Sequence, residues 1–400
     1  MKGLRFFGMI VRAKYPYQPK EQPLSTSTMY DSTRAALRQH LPTVIDSQLD
    51  SLGLAIVGVV QSMSCQLGKI ARAMPINTTA RSKEQRLRRL LSNERLTQTD
   101  HYHPIVQQAL HGLAHQRVQL LIDRVLIGDE HNVLVMSVGF RRRSIPLVWV
   151  ALSHRGSSNL ADQQALIQAA VALLPSDVRI SGHGDSEFRS QALFGWLRTQ
   201  GYAAMLGVDG RLWVYETPDP TAVGQPLATR VTPLPPQTQT GRKRQHRPSP
   251  VTYLADVYVV QDVRNGPVNI IAWWERDDDG KVVLHAVMTN LPATSRTKAL
   301  GKRRMWIETV FRDWQSGGFH LDQTGIADHD RLARLLIVLA IAYLWLVSIG
   351  RWLVKRGYRT LIDDGTARAW HFSLFQLGVG WLERLHSCTL PLPVLLYLYL

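Results

Sequence analysis

The sequence predicts an α/β fold: a mixed β-sheet flanked by helices, with a helical domain before it and a β-rich insertion within it. Three observations lead to this prediction. Residues 117–155 contain three runs of apolar and β-branched residues with short connections. Helix and strand patterns then alternate up to residue 206, and residues beyond 300 show helical periodicity again. A chain of 400 residues is long enough for two or three domains with a sizeable core.

Residues 1–115 predict an N-terminal helical domain. The segment "DSTRAALRQHLP" has a candidate N-cap at Asp31 or Ser32 and ends at Pro42. The apolar segment "SLGLAIVGVVQSMSCQLGKIARAMP" has the character of a helix that ends before Pro75. A third helical segment, "TARSKEQRLRRLLSNERL", completes the domain.

The third of these helices is strongly basic. It carries six lysine and arginine residues against two glutamates. Such a helix either lies against a DNA groove or forms a solvated cationic surface, and the overall charge of the chain makes the DNA contact an equal alternative. We therefore predict that residues 1–115 bind DNA, and we take Arg86, Arg88 and Arg89 as candidate contacts.

Residues 116–206 predict the first part of a sheet-based core. The runs "RVQLLIDRVLI", "NVLVMSVGF" and "SIPLVWVALS" are strands, and the short connections "GDEH" and "RRR" make them antiparallel neighbours. A helix follows, with a candidate N-cap at Asn159 and a stop at Pro175. The strand in "DVRISGHGDSEF" and a helix that ends at Gly201 complete this part.

Residues 207–300 predict a β-rich insertion. The segments "RLWVYETPDP", "TYLADVYVV", "VNIIAWWE" and "KVVLHAVMT" have the composition of strands, and "RDDDG" joins the last two. A Pro- and Thr-rich stretch between these segments contains "RKRQHR", which predicts an exposed basic loop. Arg242, Lys243 and Arg244 of this loop are candidate DNA contacts.

Residues 301–355 predict the second part of the core, and residues 356–400 a helical C-terminal segment. In "RRMWIETVFRDWQSGG" two sets of residues recur at helical spacing. An apolar stripe predicts a buried helix face and consists of Ile307, Val310, Phe311 and Trp314. The second set lies about a quarter turn away, at the rim of that face, and consists of Arg304, Glu308, Arg312 and Gln315.

Charge and composition restrict the class of protein. The net charge of +16 and the pI near 10.1 indicate a polyanionic partner, nucleic acid before an anionic membrane surface. A basic protein without such a partner is the alternative. Two cysteines exclude a disulfide framework and a cysteine-based zinc site, which fits a reducing, cytoplasmic compartment. The charge-free run Leu335–Ile349 has fifteen residues. A bilayer span needs about twenty, so we expect a buried core helix rather than a membrane span.

Three carboxylates stand out by their positions. Asp123 lies among apolar residues in the first strand, Asp185 directly follows the strand "VRIS", and Glu308 lies at the helix rim. A carboxylate at an apolar site is costly unless it is paired, hydrogen-bonded or bound to a metal. Taken singly, each is better explained as an ion-pair or turn residue. Together, oxygen ligands from two strands and a helix suit a pair of Mg²⁺ or Mn²⁺ ions that act on a phosphodiester.

Three segments of the sequence resemble the catalytic blocks of the DDE transposases of bacterial insertion sequences, most closely the insertion-sequence-four group. They are "IDRVLIGDEHNVLVMSVGFRRRSIPLVWVALSHRGSSN", "GHGDSEF" and, as the most specific, "RRMWIETVFRDWQSGGFHL". The resemblance covers most of residues 30–350. It implies a ribonuclease-H-like core with a β-rich insertion before the last catalytic residue. Carried over block by block, it makes Asp123, Asp185 and Glu308 the catalytic triad and the ligands of two Mg²⁺ or Mn²⁺ ions.

The same resemblance implies a function. The expected activity is metal-dependent cleavage of double-stranded DNA at transposon ends, followed by strand transfer into target DNA. We expect Arg304 and Arg312 to contact DNA phosphates, and Gln315 to act as a neutral donor. The expected state is a homodimer on DNA in the bacterial cytoplasm, associated with the nucleoid and not with a membrane.

The sequence departs from the family pattern at three positions. Gly301 stands where a tyrosine is expected, Gln315 where a lysine is expected, and Ser186 where an arginine is expected. These departures leave the metal ligands intact and affect the phosphate contacts. The alternative function is therefore a DNA-binding protein on the same fold with impaired or lost catalysis.

Three further residues have two interpretations each, and a fourth has a conditional role. Some relatives use a tryptophan of the insertion to hold a flipped base, and Trp273 and Trp274 are either such residues or packed strand residues. His183 either approaches a metal or is a hydrogen-bonded core histidine. Glu187 is a reserve metal ligand if its strand extends that far.

Overall fold

The computed structural model describes residues 25–400 except 129–130, 153, 235–248, 261–263, 278, 367–369, 386–395, 397 and 399–400. The basic loop with Arg242, Lys243 and Arg244 lies outside the described residues, so these candidate DNA contacts stay predictions.

One mixed sheet organises the described part of the chain. Its strands are β1 (Arg117–Ile127), β2 (His131–Phe140), β3 (Arg143–Leu152), β4 (Arg179–Gly184), β5 (Ala203–Gly207), β6 (Trp213–Tyr215), β7 (Gln225–Pro226), β8 (Val251–Val260), β9 (Arg264–Arg276) and β10 (Val282–Thr289). They lie in the order β3-β2-β1-β4-β5-β10-β9-β8-β6-β7. The predicted α/β class with a mixed sheet and flanking helices is confirmed.

The pairing of the strands divides the sheet into two parts. β1, β2 and β3 are antiparallel neighbours, as their short connections predict, while β4 and β5 run parallel to β1. This is the strand order expected of a ribonuclease-H-like core. The strands of residues 207–300 are not a separate layer, because β10 pairs antiparallel with β5 and continues the same sheet.

Thirteen helices are described in the residues that the structure covers. They are α1 (Thr26–His40), α2 (Asp46–Ser62), α3 (Leu67–Ala73), α4 (Ala80–Leu91), α5 (Gln98–His101), α6 (His103–Leu110), α7 (Leu160–Val171), α8 (Gln191–Thr199), α9 (Leu227–Arg230), α10 (Ser295–Gly301), α11 (Trp306–Trp314), α12 (His329–Arg356) and α13 (Leu374–Leu385).

Two boundaries of the N-terminal helices differ from the prediction. α1 is capped by Ser25, whose hydroxyl accepts the N–H of Thr28, so Asp31 and Ser32 lie inside the helix. The apolar segment predicted as a helix to the residue before Pro75 breaks after Ser62. Met63 adopts the left-handed conformation (φ 44°), and α2 and α3 meet at 99°.

The helices cover both faces of the core sheet. Leu120 and Ile122 of β1 meet Ile167 of α7 and Leu193 of α8 on one face. α11 lies on the other face, where a Cβ at Gly139 of β2 would be 3.2 Å from the Trp306 ring. Because side chains alternate along a strand, the odd-numbered residues of this stretch of β1 point toward α11.

α12 is the apolar core helix that the sequence predicts. Its 28 residues include a window with a mean hydropathy of 2.4, and 89% of that window is buried inside the protein. All residues from Leu335 to Ile349 are buried, so the predicted burial of this helix is confirmed. By length and composition alone α12 is also sufficient to cross a bilayer, and α2 and α3 would pass that test only if taken together as one bent span.

Candidate active site

Asp123 lies on β1, between β2 and β4, near the centre of the core sheet. Its side chain is 16% exposed and points toward α11. The backbone N–H of Arg124 donates to Asp123 Oδ1 at 2.8 Å. The carboxylate is therefore held through Oδ1 by the strand that carries it, while Oδ2 faces Arg304.

Asp185 directly follows β4, the parallel neighbour of β1. The last paired residues of these two strands are Leu121 and His183, and each aspartate lies two residues beyond its member of the pair. The Asp185 side chain accepts the N–H of Glu187 at 2.8 Å and caps the short 3₁₀ turn that begins at Ser186. The parallel register thus brings both aspartates to the same end and the same face of the sheet.

Glu308 reaches this face from the first turn of α11. Arg304 lies in the 3₁₀ turn before that helix and connects the carboxylates. Its Nη1 is 3.7 Å from Asp123 Oδ2, and its Nη2 is 3.4 Å from Glu308 Oε1. The structure therefore brings Asp123 and Glu308 to the two terminal nitrogens of one guanidinium group, and Asp185 is near enough to Asp123 for their charges to interact.

The electrostatics of Asp123 reflect this crowding of charge. Burial is the main cause that raises the pKa of Asp123 to about 7, and the negative charges of Asp185 and Glu308 act in the same direction. The N–H of Arg124 and the guanidinium of Arg304 act against it. A positive charge placed among these carboxylates relieves the cost of ionising Asp123.

The apolar stripe predicted for α11 is confirmed. Ile307, Val310 and Trp314 are fully buried and Phe311 nearly so. The helix itself is shorter than the quoted segment, because residues 302–305 form a 3₁₀ turn and Gln315 ends α11. Burying such a stripe stabilises the contact with the sheet by roughly 1.5–3 kcal/mol per large side chain, which fixes the helix that carries Glu308.

A buried ion pair adds a second attachment for α11, and it was missed in the sequence. Asp313 of α11 accepts a hydrogen bond from Arg143 of β3, and both side chains are 5% exposed or less. Burial raises the pKa of Asp313 to about 6, although Arg143 and Arg312 lower it. The spacing of Asp313 in the sequence could have indicated that it is buried. It stands three residues after Val310, within the stripe predicted to face the core.

Glu187, the reserve ligand, is engaged elsewhere. Arg124 Nε donates to both of its carboxylate oxygens, at 2.5 and 2.7 Å, and the N–H of Ser158 is 3.3 Å from Oε1. This ion pair joins β1 to the turn that Asp185 caps. Glu187 therefore positions the turn, and its oxygens are already occupied by donors.

The residues next to the triad that are predicted to contact DNA, and the positions that depart from the family pattern, differ in exposure and in the contacts they already make. Arg312 is exposed on α11. Gln315 is half-buried, and its Nε2 donates to the carbonyl of Leu126 on β1 at 3.0 Å. Ser186 is exposed. Gly301 is buried, and a Cβ there would be 3.1 Å from Val287, so β10 occupies the space into which a tyrosine would extend.

His183 is a core histidine. It is 1% exposed, and its Nε2 lies 3.0 Å from the hydroxyl of Ser181. Burial lowers the pKa of His183 to about 3, and the charge of Arg303 lowers it too. The histidine is therefore neutral, as the hydrogen-bonded interpretation requires.

The three candidate arginines of the basic helix α4 differ in their contacts within the protein. Arg86 donates to the hydroxyl of Ser51, and Arg88 forms an i,i+4 ion pair with Glu84. Arg89 is exposed. These contacts orient Arg86 and Arg88 within the helical domain, and the DNA-binding role of the three arginines stays a prediction.

The donor set of the triad suits hard divalent cations. All three side chains offer carboxylate oxygens, which are the ligands that Mg²⁺ and Mn²⁺ prefer. Among the described residues, three ligand atoms all within 4.8 Å of one another occur at Asp363, Asp364 and His371. The triad oxygens are more widely spaced than that, with Arg304 between two of them.

The Asp363 cluster has a structural explanation. Asp363 is fully buried and accepts hydrogen bonds from the Arg359 side chain and from the backbone N–H groups of Gly365, His371 and Phe372. Its oxygens therefore hold the loop between α12 and α13 together, and Asp364 is almost fully exposed.

Comparison with protein families decides the assignment of the chain. The family model described as the transposase DDE domain matches residues 129–345, more than half of the chain. The chain belongs to the transposase DDE domain family. The matched range includes Asp185 and Glu308 and begins six residues after Asp123. No curated protein sequence matches the chain.

The buried carboxyl group of Asp123 should make the stability of this transposase DDE domain depend on pH. Because the folded-state pKa of Asp123 is about 7 and the ordinary value is 3.8, the folded state binds the proton more tightly. Ionisation of Asp123 therefore lowers the free energy of unfolding as the pH rises from about 4 to about 7. Asp123→Asn removes this loss and keeps an acceptor for Arg124 N–H.

We expect Asp123→Asn to leave stability nearly unchanged near pH 4 and to raise the free energy of unfolding at pH 8 by up to about 4 kcal/mol, from about three pKa units. Urea unfolding in EDTA across this pH range measures the difference. A difference that does not grow with pH would show that Asp123 ionises normally in the folded protein.

Proposed function

We propose that this protein is a transposase that cleaves double-stranded DNA at the ends of its element and joins the freed strand to target DNA. One observation carries the proposal: Arg304 lies within 3.7 Å of Asp123 and 3.4 Å of Glu308, while the parallel register of β1 and β4 places Asp185 next to Asp123. Carboxylates from β1, from the residue directly after β4 and from α11 therefore lie on one face of the sheet. Membership of the DDE domain family supports this choice.

The proposed chemistry assigns a role to each side chain. Asp123, Asp185 and Glu308 would hold two Mg²⁺ or Mn²⁺ ions, which supply the positive charge that stabilises in-line displacement at phosphorus. Arg304 and Arg312 would bind DNA phosphates, because a guanidinium group donates to two phosphate oxygens at once. Gln315 would contribute as a neutral donor once its bond to Leu126 is exchanged for DNA.

The partners follow from charge and from the reaction. The net charge of +16 suits a DNA-bound protein, and α4 together with the basic loop at residues 242–244 would extend the contact beyond the active site. Cleavage at two ends implies a homodimer on DNA. We propose a place in the bacterial cytoplasm, on the nucleoid, and a relation to the insertion-sequence-four group.

A DNA-binding protein with lost catalysis is the second candidate. The bond between Gln315 and Leu126 and the filled space at Gly301 favour it, because both positions differ from the family pattern. The complete triad favours the enzyme, since a protein freed from catalysis has no need for a costly buried carboxylate at Asp123.

We expect the purified chain to cut a duplex that carries the DNA flanking its own gene in Mg²⁺, and not in EDTA. Gel analysis of end-labelled duplexes, with a supercoiled plasmid as target, measures both cleavage and strand-transfer products. Binding without cleavage in Mg²⁺ or Mn²⁺ would favour the second candidate, and cleavage without joined products would indicate a nuclease.

A further inference from the structure

A cluster of charged and aromatic side chains lies on the strands β9 and β10 and on the segment that leads to Arg304. Trp273 and Glu275 belong to β9, His285 to β10, Lys298 to α10 and Lys302 to the following 3₁₀ turn. We call these five residues the lysine–tryptophan cluster. They lie outside the set of side chains that carry the proposed chemistry.

The Trp273 ring holds the two ammonium groups in place. Lys298 Nζ lies 4.4 Å and Lys302 Nζ 5.3 Å from the ring centroid, within the range of cation–π attraction. Trp273 Nε1 donates to Glu275 Oε2 at 2.9 Å, and Lys302 Nζ is 3.3 Å from the same oxygen. Both lysines are thus positioned by side chains of the sheet.

The same contacts exclude one role for Trp273. The residue is 4% exposed, and His285 stacks against its ring with centroids 5.5 Å apart and planes at 17°. With His285 and the lysine ammonium groups against it, the ring presents no free surface to a DNA base. Of the two interpretations of Trp273, the packed strand residue is therefore the one that fits. Its ring contacts the ammonium groups of Lys298 and Lys302. Trp274 is half-buried, and its base-holding role stays a prediction.

The cluster carries more positive than negative charge. Glu275 is the carboxylate that faces both lysines, and Lys302 and Glu275 remain about half exposed. Burial lowers the pKa of His285, and the charges of Lys302, Arg304 and Lys298 lower it further, against the effect of Glu275. Lys298 and Lys302 therefore meet at Trp273, and the chain continues from Lys302 to Arg304, whose guanidinium group lies near Asp123 and Glu308.

We propose that Lys298 and Lys302 bind phosphates of the DNA strand next to the phosphate that reacts at Asp123, Asp185 and Glu308. The inference rests on the proposed function, because it takes DNA as the substrate of that site. An ammonium group already held on Trp273 loses less side-chain freedom on binding phosphate than a free lysine does. Lys302 and Arg304 lie in the same 3₁₀ turn, and Arg304 is within 3.7 Å of Asp123 and 3.4 Å of Glu308, which places the cluster next to the triad.

Salt dependence of DNA binding tests this proposal. In the Asp123→Asn chain with EDTA present, so that the DNA is expected to stay uncut, we expect Lys298→Ala/Lys302→Ala to reduce the magnitude of the slope of log K against log salt by about 2. The loss of affinity between about 50 and about 200 mM salt then becomes about tenfold smaller. Fluorescence anisotropy with a duplex of the gene's flanking DNA measures both quantities.

Three control variants make the result specific. Lys298→Arg/Lys302→Arg should keep the slope, because the charge is retained. Glu275→Gln should strengthen binding, because it removes the opposing carboxylate and keeps an acceptor for Trp273. Arg198→Ala removes an exposed cation from α8, on the face of the sheet away from α11, and should not change the slope.

The outcomes separate this proposal from the proposed function. An unchanged slope for the double alanine variant overturns the lysine contacts, even if the wild-type chain cleaves DNA. A reduced slope supports them even if the wild-type chain never cleaves, and in that case only the proposed catalysis fails. Lys298 and Lys302 are partly exposed, so we expect their variants to remain folded, and circular dichroism of each variant checks this.

Discussion

Asp123→Asn, Asp185→Asn and Glu308→Gln are each expected to reduce Mg²⁺-dependent DNA cleavage by about a thousandfold or more, because each removes a negative oxygen from a site that depends on charge. The two asparagine substitutions keep the local structure, since an amide oxygen still accepts the N–H groups of Arg124 and Glu187. Single-turnover cleavage of the flanking duplex measures the effect, and DNA binding should survive in all three variants.

Asp364→Asn provides the matched control for this series. Asp364 belongs to the other acidic cluster, is almost fully exposed and lies outside the triad. We expect normal cleavage from this variant. Nicking that survives all three triad substitutions would remove the catalytic assignment. Loss of nicking in Asp364→Asn would indicate that the acidic cluster between α12 and α13 takes part in cleavage.

Asp313→Ala is expected to lower the free energy of unfolding by about 3–5 kcal/mol, the usual cost of leaving one partner of a buried ion pair alone. Arg143 would keep its charge at 5% exposure with no carboxylate beside it. Urea denaturation at pH 7 measures the change. Since Asp313 attaches α11 to β3, cleavage should fall as well, because Glu308 is carried by the same helix.

Two further variants serve as controls for Asp313→Ala. Glu216→Ala breaks an ion pair with Arg230 whose glutamate is 67% exposed, and it should cost no more than about 1 kcal/mol. Arg143→Met/Asp313→Leu replaces the buried pair by apolar side chains and should recover most of the lost stability. An Asp313→Ala variant as stable as Glu216→Ala would show that the buried pair does not hold α11.

The sequence was sufficient to predict the elements that carry the site. Periodicity identified the stripe of α11, and short connections identified the antiparallel strands β1 to β3. Position within these elements singled out Asp123, Asp185 and Glu308, and the family resemblance connected them. These predictions depend on local pattern, which a single chain displays directly.

Other features depend on partners far away in the chain. The pairing of Arg143 with Asp313 requires β3 and α11 to be neighbours, and periodicity shows a buried face without naming what covers it. After the break at Met63, the backbone N–H of Cys65 donates to the carbonyl of Phe319, a partner that local pattern cannot identify. The bond from Gln315 to Leu126 is likewise visible only once the helix end meets β1.

The continuity of the sheet has a consequence for where the DNA is cut. Backbone hydrogen bonds run without interruption from β1 through β4, β5 and β10 to β9, four strand steps of about 4.8 Å each. Such a sheet resists shear in its own plane, so a phosphate bound by Lys298 and Lys302, as we propose, would stay at a constant distance from Asp123. Under that proposal the position of the cut is set by where these lysines bind the strand, and we expect it to stay the same when loops outside the sheet are lengthened.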